Sequence, residues 1–273
     1  MKLSIITINR NNAAGLEMTM KSVAAQTFKE FEYIIVDGAS TDGSVGVIKK
    51  YEPQFAHLKW VSEPDSGIYN AMNKGIRMAS GEYIQILNSG DILASSDVTE
   101  RMLAALGKQK NAADILYGNM TKKDYATGKV IGKSGEVEYS LRQYYSSTMN
   151  HDCCYIRRDL FDAYGMYDEN LKIVSDWKWF LQAIGLGKVK PVYADIDVTV
   201  FDTSGVSENN LDLRNKERRQ VLEEVMPPAI LVDYDAHAFH VSQYQRLKRY
   251  HLWPIVHFVE RVLFKLNKWH ILK

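Results

Sequence analysis

The sequence predicts an α/β protein: a mostly parallel central sheet flanked by helices, followed by a C-terminal helical extension. Three observations carry this expectation. Apolar, β-branched runs alternate with amphipathic helical stretches from Met1 to Asp91; the early runs end in Asp-, Asn-, Ser- or Gly-rich turns; and the pattern changes to a charged helix over Asn209–Met226 that Pro227-Pro228 stops.

Lys2–Ile8 reads as the first strand, and Leu16, Met20, Val23 and Ala24 share one face of the helix that follows. Phe31–Val36 is a second strand ending at Asp37-Gly38, with Ser40-Thr41-Asp42 as the cap of a helix through Val45 and Ile48. His57–Val61 gives a third strand, and Ile68, Met72, Ile76 and Ala79 keep helical register after Asp65-Ser66-Gly67. Glu82–Leu87 is a fourth strand, ending in Asn88-Ser89-Gly90-Asp91. Beyond it come a helix over Val98–Leu106, a strand at Ile115–Tyr117, and a Gly- and Lys-rich hairpin or loop at Lys122–Lys133. Strict alternation ends there. Cys153–Ile156 and Val189–Val200 read as strands, Ser175–Ile184 and Asn209–Met226 as helices, and a soft domain boundary falls near residue 206. The expected organisation is a domain over 1–205 and a helical extension over 206–273.

The 273 residues carry 34 Lys plus Arg against 33 Asp plus Glu, a net charge of +1, which gives no reason to expect a nucleic-acid partner. Cys153 and Cys154 are adjacent, a spacing that strains a disulfide and matches no metal motif; they read as reduced thiols, which implies a cytoplasmic compartment. The apolar run at the N-terminus is too short for a signal peptide. The stretch 243–273 sets Arg246, Lys248, Arg249, Arg261, Lys265, Lys268 and Lys273 against the single acid Glu260, among many apolar residues. It falls short of the roughly 20 apolar residues that span a bilayer. Peripheral contact with an anionic membrane and packing on protein are its two readings, and the clustering of aromatics with cations favours the first.

In an open parallel sheet, ligands bind at the carboxyl ends of strands, so Thr7, Asn9, Asp37, the Glu63–Asp65 turn and Asn88–Asp91 are the candidate positions. The chain has no G-x-G-x-x-G after its first strand and no P-loop motif. Asp37 could accept hydrogen bonds from a base or ribose, or simply form the turn before Gly38. Asp42 is most simply a helix cap. Oxygens of the Asn88–Asp91 turn could hold a hard divalent cation bridging two phosphates, although taken alone the segment is better read as a plain turn.

Taken together, the runs Ser4–Arg10, Ile34–Ser44, Glu63–Ile76 and Gly81–Asp91 resemble the family 2 glycosyltransferases of GT-A (Rossmann-like) fold, in order and in spacing. Within that family the sequence looks like the bacterial branch that builds O-antigen, capsule and exopolysaccharide repeats. The resemblance covers about residues 1–205. It implies that Thr7, Asn9 and Arg10 line a nucleotide pocket, that Asp37 meets the base, and that Asp65, Asn73 and Lys74 complete the base and ribose environment. Asn88–Asp91 takes the place of the family's Asp-x-Asp metal motif. Here the first acid is Asn88 and the usual second is Gly90, so Asp91 is the metal-binding candidate, with Asn88 on ribose or a metal-bound water. The implied cofactor is Mn2+ or Mg2+.

Downstream, Gly165–Leu171 followed by Val174-Ser175-Asp176-Trp177 resembles the acceptor-side block, in which an acid before an aromatic is the catalytic base; Asp176 matches that position. As a first-turn acid it could equally complement a helix dipole. His151 and the Phe201–Ser207 loop, with Ser204, fall where acceptor or phosphate contacts are expected, although a structural histidine is an equal alternative.

The resemblance implies an inverting transfer from a nucleotide-diphosphate sugar, a UDP-sugar being favoured, to a glycan or polyprenyl-linked acceptor at the inner face of the membrane. Charge on the leaving phosphate must be stabilised and the incoming hydroxyl deprotonated. Two rivals stand beside this reading. A sugar-phosphate nucleotidyltransferase needs a Gly- and Lys-rich loop after the first strand, where Asn9-Arg10-Asn11-Asn12 stands instead. A catalytically silent binding module would follow from the eroded metal motif.

Overall fold

Two strands buried along their whole length, β1 (Leu3–Asn9) and β2 (Glu32–Asp37), set the architecture. Strands that read as continuous apolar runs belong in the middle of a parallel sheet covered on both faces. The computed structural model describes residues 1–109, 112–125, 127–202, 210–251 and 253–268. Between β1 and β2 runs α1 (Ala13–Ala24), and after β2 come α2 (Ser44–Tyr51), β3 (Leu58–Ser62), α3 (Ile68–Met78) and β4 (Tyr83–Ile86). These four strands pair in parallel in the order β3-β2-β1-β4. Leu3, Ile5, Tyr33 and Ile35 pack with Leu16, Met20 and Ile48 in the main core. Across the sheet, Gly75 of α3 lies so close to Ile6 that a Cβ there would overlap it.

The continuation is mixed. It comprises β5 (Ile92–Leu93), α4 (Val98–Gly107), β6 (Ile115–Lys123), β7 (Val130–Lys133), α5 (Leu141–Ser146), β8 (Cys154–Arg157), α6 (Leu160–Tyr164), α7 (Ser175–Phe180) and β9 (Pro191–Asp202). The strand order extends as β4-β8-β6-β9-β5, with β7 forming a hairpin on β6. The Lys122–Lys133 stretch thus takes the hairpin form. β8 runs antiparallel to both β4 and β6, so its entry delivers residues 151–153 to the carboxyl end of β4, where Gln85 Nε2 donates to the Asp152 carbonyl at 2.8 Å. The helix expected through Ile184 is α7 continued by a π-helical turn over Leu181–Gly185.

The chain falls into two compact units, Met1–Val221 and Leu222–Lys273. The division lies beyond the residue-206 boundary read from the sequence because the first half of α8 (Leu211–Val225) is tied to the sheet domain. Glu217 accepts from the backbone N–H groups of Lys172 and Ile173 at 2.8 and 2.9 Å, and Arg218 donates to the Ser146 carbonyl at 3.0 Å. The second unit holds α9 (Pro228–Arg249) and α10 (Trp253–Lys268). Pro228 opens α9, where a missing N–H costs nothing. Among the described residues no helix is long and apolar enough to cross a membrane.

One buried carboxylate staples the first three strands. Glu32 is 2% exposed and accepts from Ser4 Oγ (2.5 Å), Lys59 Nζ (2.5 Å), Ser80 N (2.8 Å) and Ser80 Oγ (3.0 Å). Burial alone would raise its pKa, but these donors overrule it and hold the group at about 2. Its stabilising contribution is therefore complete above its ordinary value of 4.5 and is lost as pH falls toward 2. Glu32→Gln is expected to cost about 2–3 kcal/mol in urea unfolding at neutral pH. The gap should narrow on acidification, whereas a pH-independent gap would show that the charge is immaterial.

Candidate active site

Asp37 ends β2 with its carboxylate wholly enclosed. Oδ1 accepts from Asn9 Nδ2 (2.8 Å) and Ser40 Oγ (2.6 Å), and Oδ2 from Ser40 N (2.9 Å) and Ser62 Oγ (2.6 Å). Burial opposes the charge, but four donors lower its pKa, so it is an anionic clamp across the mouths of β1, β2 and β3. Thr7 is equally internal, paired with Tyr33 OH at 3.1 Å. What stands at the mouth is Arg10, exposed, and Asp65, half-buried. Both approach Gly38, where a Cβ would overlap the Asp65 carboxylate and sit 3.3 Å from Arg10 Cδ. Asn73 and Lys74 are committed elsewhere. The Asn73 amide donates to the Tyr167 carbonyl and Glu169 Oε1 at 2.9 and 2.8 Å, and Lys74 pairs with Glu63 and donates to the Pro64 carbonyl, both at 2.8 Å. They brace the loops on either side of α3.

This mouth is continuous with the turn after β4. Asn11 and Ala39 adopt left-handed backbone (φ 50° and 55°), a strain that persists only where surrounding bonds enforce it. Asn11 N donates to Ser40 Oγ at 2.7 Å and Asn11 Oδ1 accepts from Thr41 N at 2.8 Å, while Asn12 Nδ2 donates to the Ser89 carbonyl at 3.1 Å. Asp42 serves two helices: Oδ2 takes the N–H of Ala13 at the start of α1 (2.8 Å), and Oδ1 the N–H of Ser44 at the start of α2 (3.1 Å). Gly90, at φ 109°, sits in a conformation that an aspartate would adopt only under strain. That accounts physically for glycine in the turn.

Asn88 and Asp91 open onto a cavity of about 620 Å³ that also takes in His151, Asp152, Asp176, Arg214 and Arg218. At its centre runs a hydrogen-bonded line. Tyr69 OH donates to Asp176 Oδ1 at 3.0 Å and Asp176 Oδ2 meets His151 Nδ1 at 3.0 Å; His151 Nε2 lies 3.2 Å from Asn88 Nδ2, which can donate to it only while the ring is neutral. Burial works against charge on Asp176, yet His151 and Tyr69 lower its pKa and keep it a carboxylate. Burial likewise opposes the imidazolium of His151, but Asp176 first, then Asp152 and Asp91, raise its pKa to about 9. Asp152 moves the other way: burial raises its pKa against the opposing effects of His151 and of Thr199, which donates to it at 2.7 Å. Each oxygen of Asp176 keeps accepting capacity for a further donor.

The sequence reading passed over three of these groups. Arg214 and Arg218 stand four residues apart on α8, one turn of one face, and line the cavity. Arg218 lies 4.8 Å from the centre of the Trp177 ring. Tyr69 sits on α3, and its meeting with Asp176 is a tertiary event that no local spacing announces. Ser204 lies outside the described residues.

The donor set suits a divalent cation only with help from a ligand. Asp91 is 4% exposed and Asn88 Oδ1 is buried with no hydrogen-bond partner, which gives two hard oxygens on one wall. Among the described residues no cluster of three His, Cys, Asp or Glu could hold a metal on its own. Such a site fits a cation whose remaining positions are filled by phosphate and water.

Residues 4–165 match Glycosyl transferase family 2. The chain belongs to that family. An uncharacterized glycosyltransferase of Mycobacterium tuberculosis is 33% identical over 210 residues, 75% of this chain and 76% of the relative. A PGL/p-HBAD biosynthesis glycosyltransferase of Mycobacterium bovis BCG is 26% identical over 209 residues, 76% of this chain and 79% of the relative. Among solved structures, residues 1–349 of S. aureus TarS in complex with UDP-GlcNAc superpose with a TM-score of 0.61 at 20% identity, over 74% of this chain and 59% of that chain. The mannosyltransferase PcManGT of Pyrobaculum calidifontis, in complex with GDP-Man and Mn2+, gives a TM-score of 0.63 at 18% identity, over 87% of this chain and 69% of the other. These neighbours share the GT-A fold, so the transferase is a GT-A enzyme, and family membership sets the nucleotidyltransferase reading aside.

Removing His151 takes away the bond and the charge that hold Asp176 ionised, leaving burial to raise its pKa. In His151→Asn the acid limb of the kcat/KM profile is expected to move to higher pH than in the wild-type transferase. Superimposable limbs would show that the pair does not control the protonation of Asp176.

Proposed function

We propose that the transferase moves a sugar from a nucleotide-diphosphate donor, a UDP-sugar being favoured, to a hydroxyl of a glycan or lipid-linked glycan, with inversion at the anomeric carbon. The observation that carries this reading is the shared cavity: an ionised Asp176 and the Asn88–Asp91 turn open onto one space together with Arg214 and Arg218. The acceptor hydroxyl donates to Asp176, its oxygen bonds to the anomeric carbon, and the bond from that carbon to the phosphate oxygen breaks, leaving the electron pair on the diphosphate. The proton finishes on Asp176. Tyr69 and His151 hold that carboxylate in place, so it meets the hydroxyl without rearrangement.

Charge gathering on the leaving diphosphate meets the guanidinium groups of Arg214 and Arg218. Asp91 and Asn88 Oδ1 would hold a divalent cation, Mn2+ or Mg2+, which would supply further neutralisation of that charge. The complexes of TarS with UDP-GlcNAc and of PcManGT with GDP-Man and Mn2+ support a nucleotide-sugar donor and a metal. Arg10 and Asp65 flank the nucleotide at the mouth that Asn9 and Asp37 hold open, with Thr7 packed behind and Asn73 and Lys74 bracing the adjoining loops. His151 is a positioning residue for Asp176. Ser204, outside the described residues, is assigned to the acceptor or phosphate side on the resemblance alone.

A place in surface-polysaccharide synthesis, at the cytoplasmic face of the membrane, is supported by the sequence blocks and by the second unit. Within α10, Ile255, Phe258, Val259 and Val262 follow helical spacing and are 39% to 68% exposed, the arrangement of a helix lying in a bilayer interface. The two cysteines are buried free thiols.

The transfer reading is tested by nucleotide release from UDP- and GDP-sugars with added Mn2+. Asp176→Asn should lower turnover by about 10²–10⁴-fold while a nucleotide still raises the melting temperature. Turnover unchanged in that variant would remove Asp176 from the chemistry. For the tail, Phe258→Glu with Val262→Glu should abolish co-sedimentation with phosphatidylglycerol vesicles. Undiminished co-sedimentation would leave α10 without a membrane role.

A further inference from the structure

Beside the main cavity lies a second one of about 340 Å³, walled by Tyr117, Tyr139, Tyr193, Pro191, Glu136 and Glu138. Glu136 and its neighbour Val137 also line the main cavity, so the two spaces share one stretch of backbone. Tyr117 is buried, and its hydroxyl accepts from Val137 N–H at 3.1 Å, which anchors that shared stretch to β6. Tyr193 lies across from it on β9, with ring centres 5.4 Å apart and planes tilted by 50°. The Tyr193 hydroxyl is held at its far end by Asn119 Oδ1 at 2.8 Å. Its polar tip is thereby satisfied while the ring flanks the pocket. Tyr139, 52% exposed, stands at the rim. Glu138 is kept ionised by Arg142, which donates to it at 2.8 Å.

This pairing of surfaces is specific in its chemistry. A pyranose ring presents C–H groups on its faces and hydroxyl donors around its edge. Aromatic rings match the first, and carboxylates, which only accept, match the second. The volume sits at the lower end for small-ligand sites, the size for one sugar ring rather than an extended chain.

Building on the transfer reading above, we propose that this pocket is an acceptor subsite that holds a pyranose residue of the acceptor, set back from the residue whose hydroxyl faces Asp176. The acceptor then runs from the main cavity past Glu136 and Val137 into the tyrosine pocket. It carries at least two sugars, so a prior glycosyl transfer must have built it. An aromatic pocket with carboxylates is also the composition that takes up quaternary ammonium groups, and the test separates the two.

Saturation-transfer NMR with the methyl glycosides of glucose, galactose, mannose and N-acetylglucosamine reads the subsite directly, with tetramethylammonium as the competing probe. At least one glycoside should bind the full-length protein and Asp176→Asn alike. Tyr139→Ala and Tyr193→Ala should each weaken it about fivefold, the effect of losing one ring contact. Tyr139 is exposed, so its variant tests the pocket without disturbing the core. A melting-temperature rise with UDP, followed in the same samples, reports the donor site separately, so loss of that rise bears on the transferase reading and not on the subsite. Absence of any glycoside signal, a signal indifferent to both tyrosine variants, or binding of tetramethylammonium in place of the sugars would overturn the proposal.

Discussion

The line of bonds from Tyr69 through Asp176 to His151 is the constraint around which the site is organised. A buried carboxylate is costly unless it is paired and hydrogen-bonded. Asp176 is both, and its partners come from two other parts of the chain: Tyr69 on α3 and His151 in the turn before β8. Satisfying one charge therefore fixes the relative placement of three segments. It also sets Asp176 within the same enclosure as the Asn88–Asp91 turn, the arrangement that the proposed transfer requires.

Topology makes this meeting possible. Four parallel strands gather the ends of β1, β2 and β4 on one edge, but they supply only the half of the cleft proposed to bind the donor. The antiparallel entry of β8 between β4 and β6 brings His151 and Asp152 to the same edge from the opposite direction. The first half of α8, tied down by Glu217 and Arg218, then closes the side that the sheet leaves open. The division of the chain after Val221 follows from that tie.

Much of the sheet domain was legible in the sequence because its signals are local. Buried runs, helical spacing and turn residues placed the first four strands and their helices within a residue or two. The antiparallel pairing of β8 was not legible, since register with distant strands leaves no mark in a four-residue apolar run. At the site, the positions at strand ends were visible as residue types, but their commitments were not. Asp37 and Asn73 look alike as exposed ligand-binding groups until their partners are known, and both prove to be spent on internal bonds. Arg214 and Arg218 were hidden for a different reason: an arginine pair on a charged helix looks the same whether it faces solvent or a cavity.

In the proposed mechanism one edge carries both halves of the reaction, with the donor phosphates at the Asn88–Asp91 turn and the acceptor hydroxyl at Asp176. A crystal structure with UDP and Mn2+ is the decisive experiment. The diphosphate is expected between Asp91 and the Arg214–Arg218 face, the base at the Arg10–Asp65 mouth, and open space toward Asp176. A nucleotide bound with its phosphates outside the cavity that Asp91 and Asp176 share would contradict it.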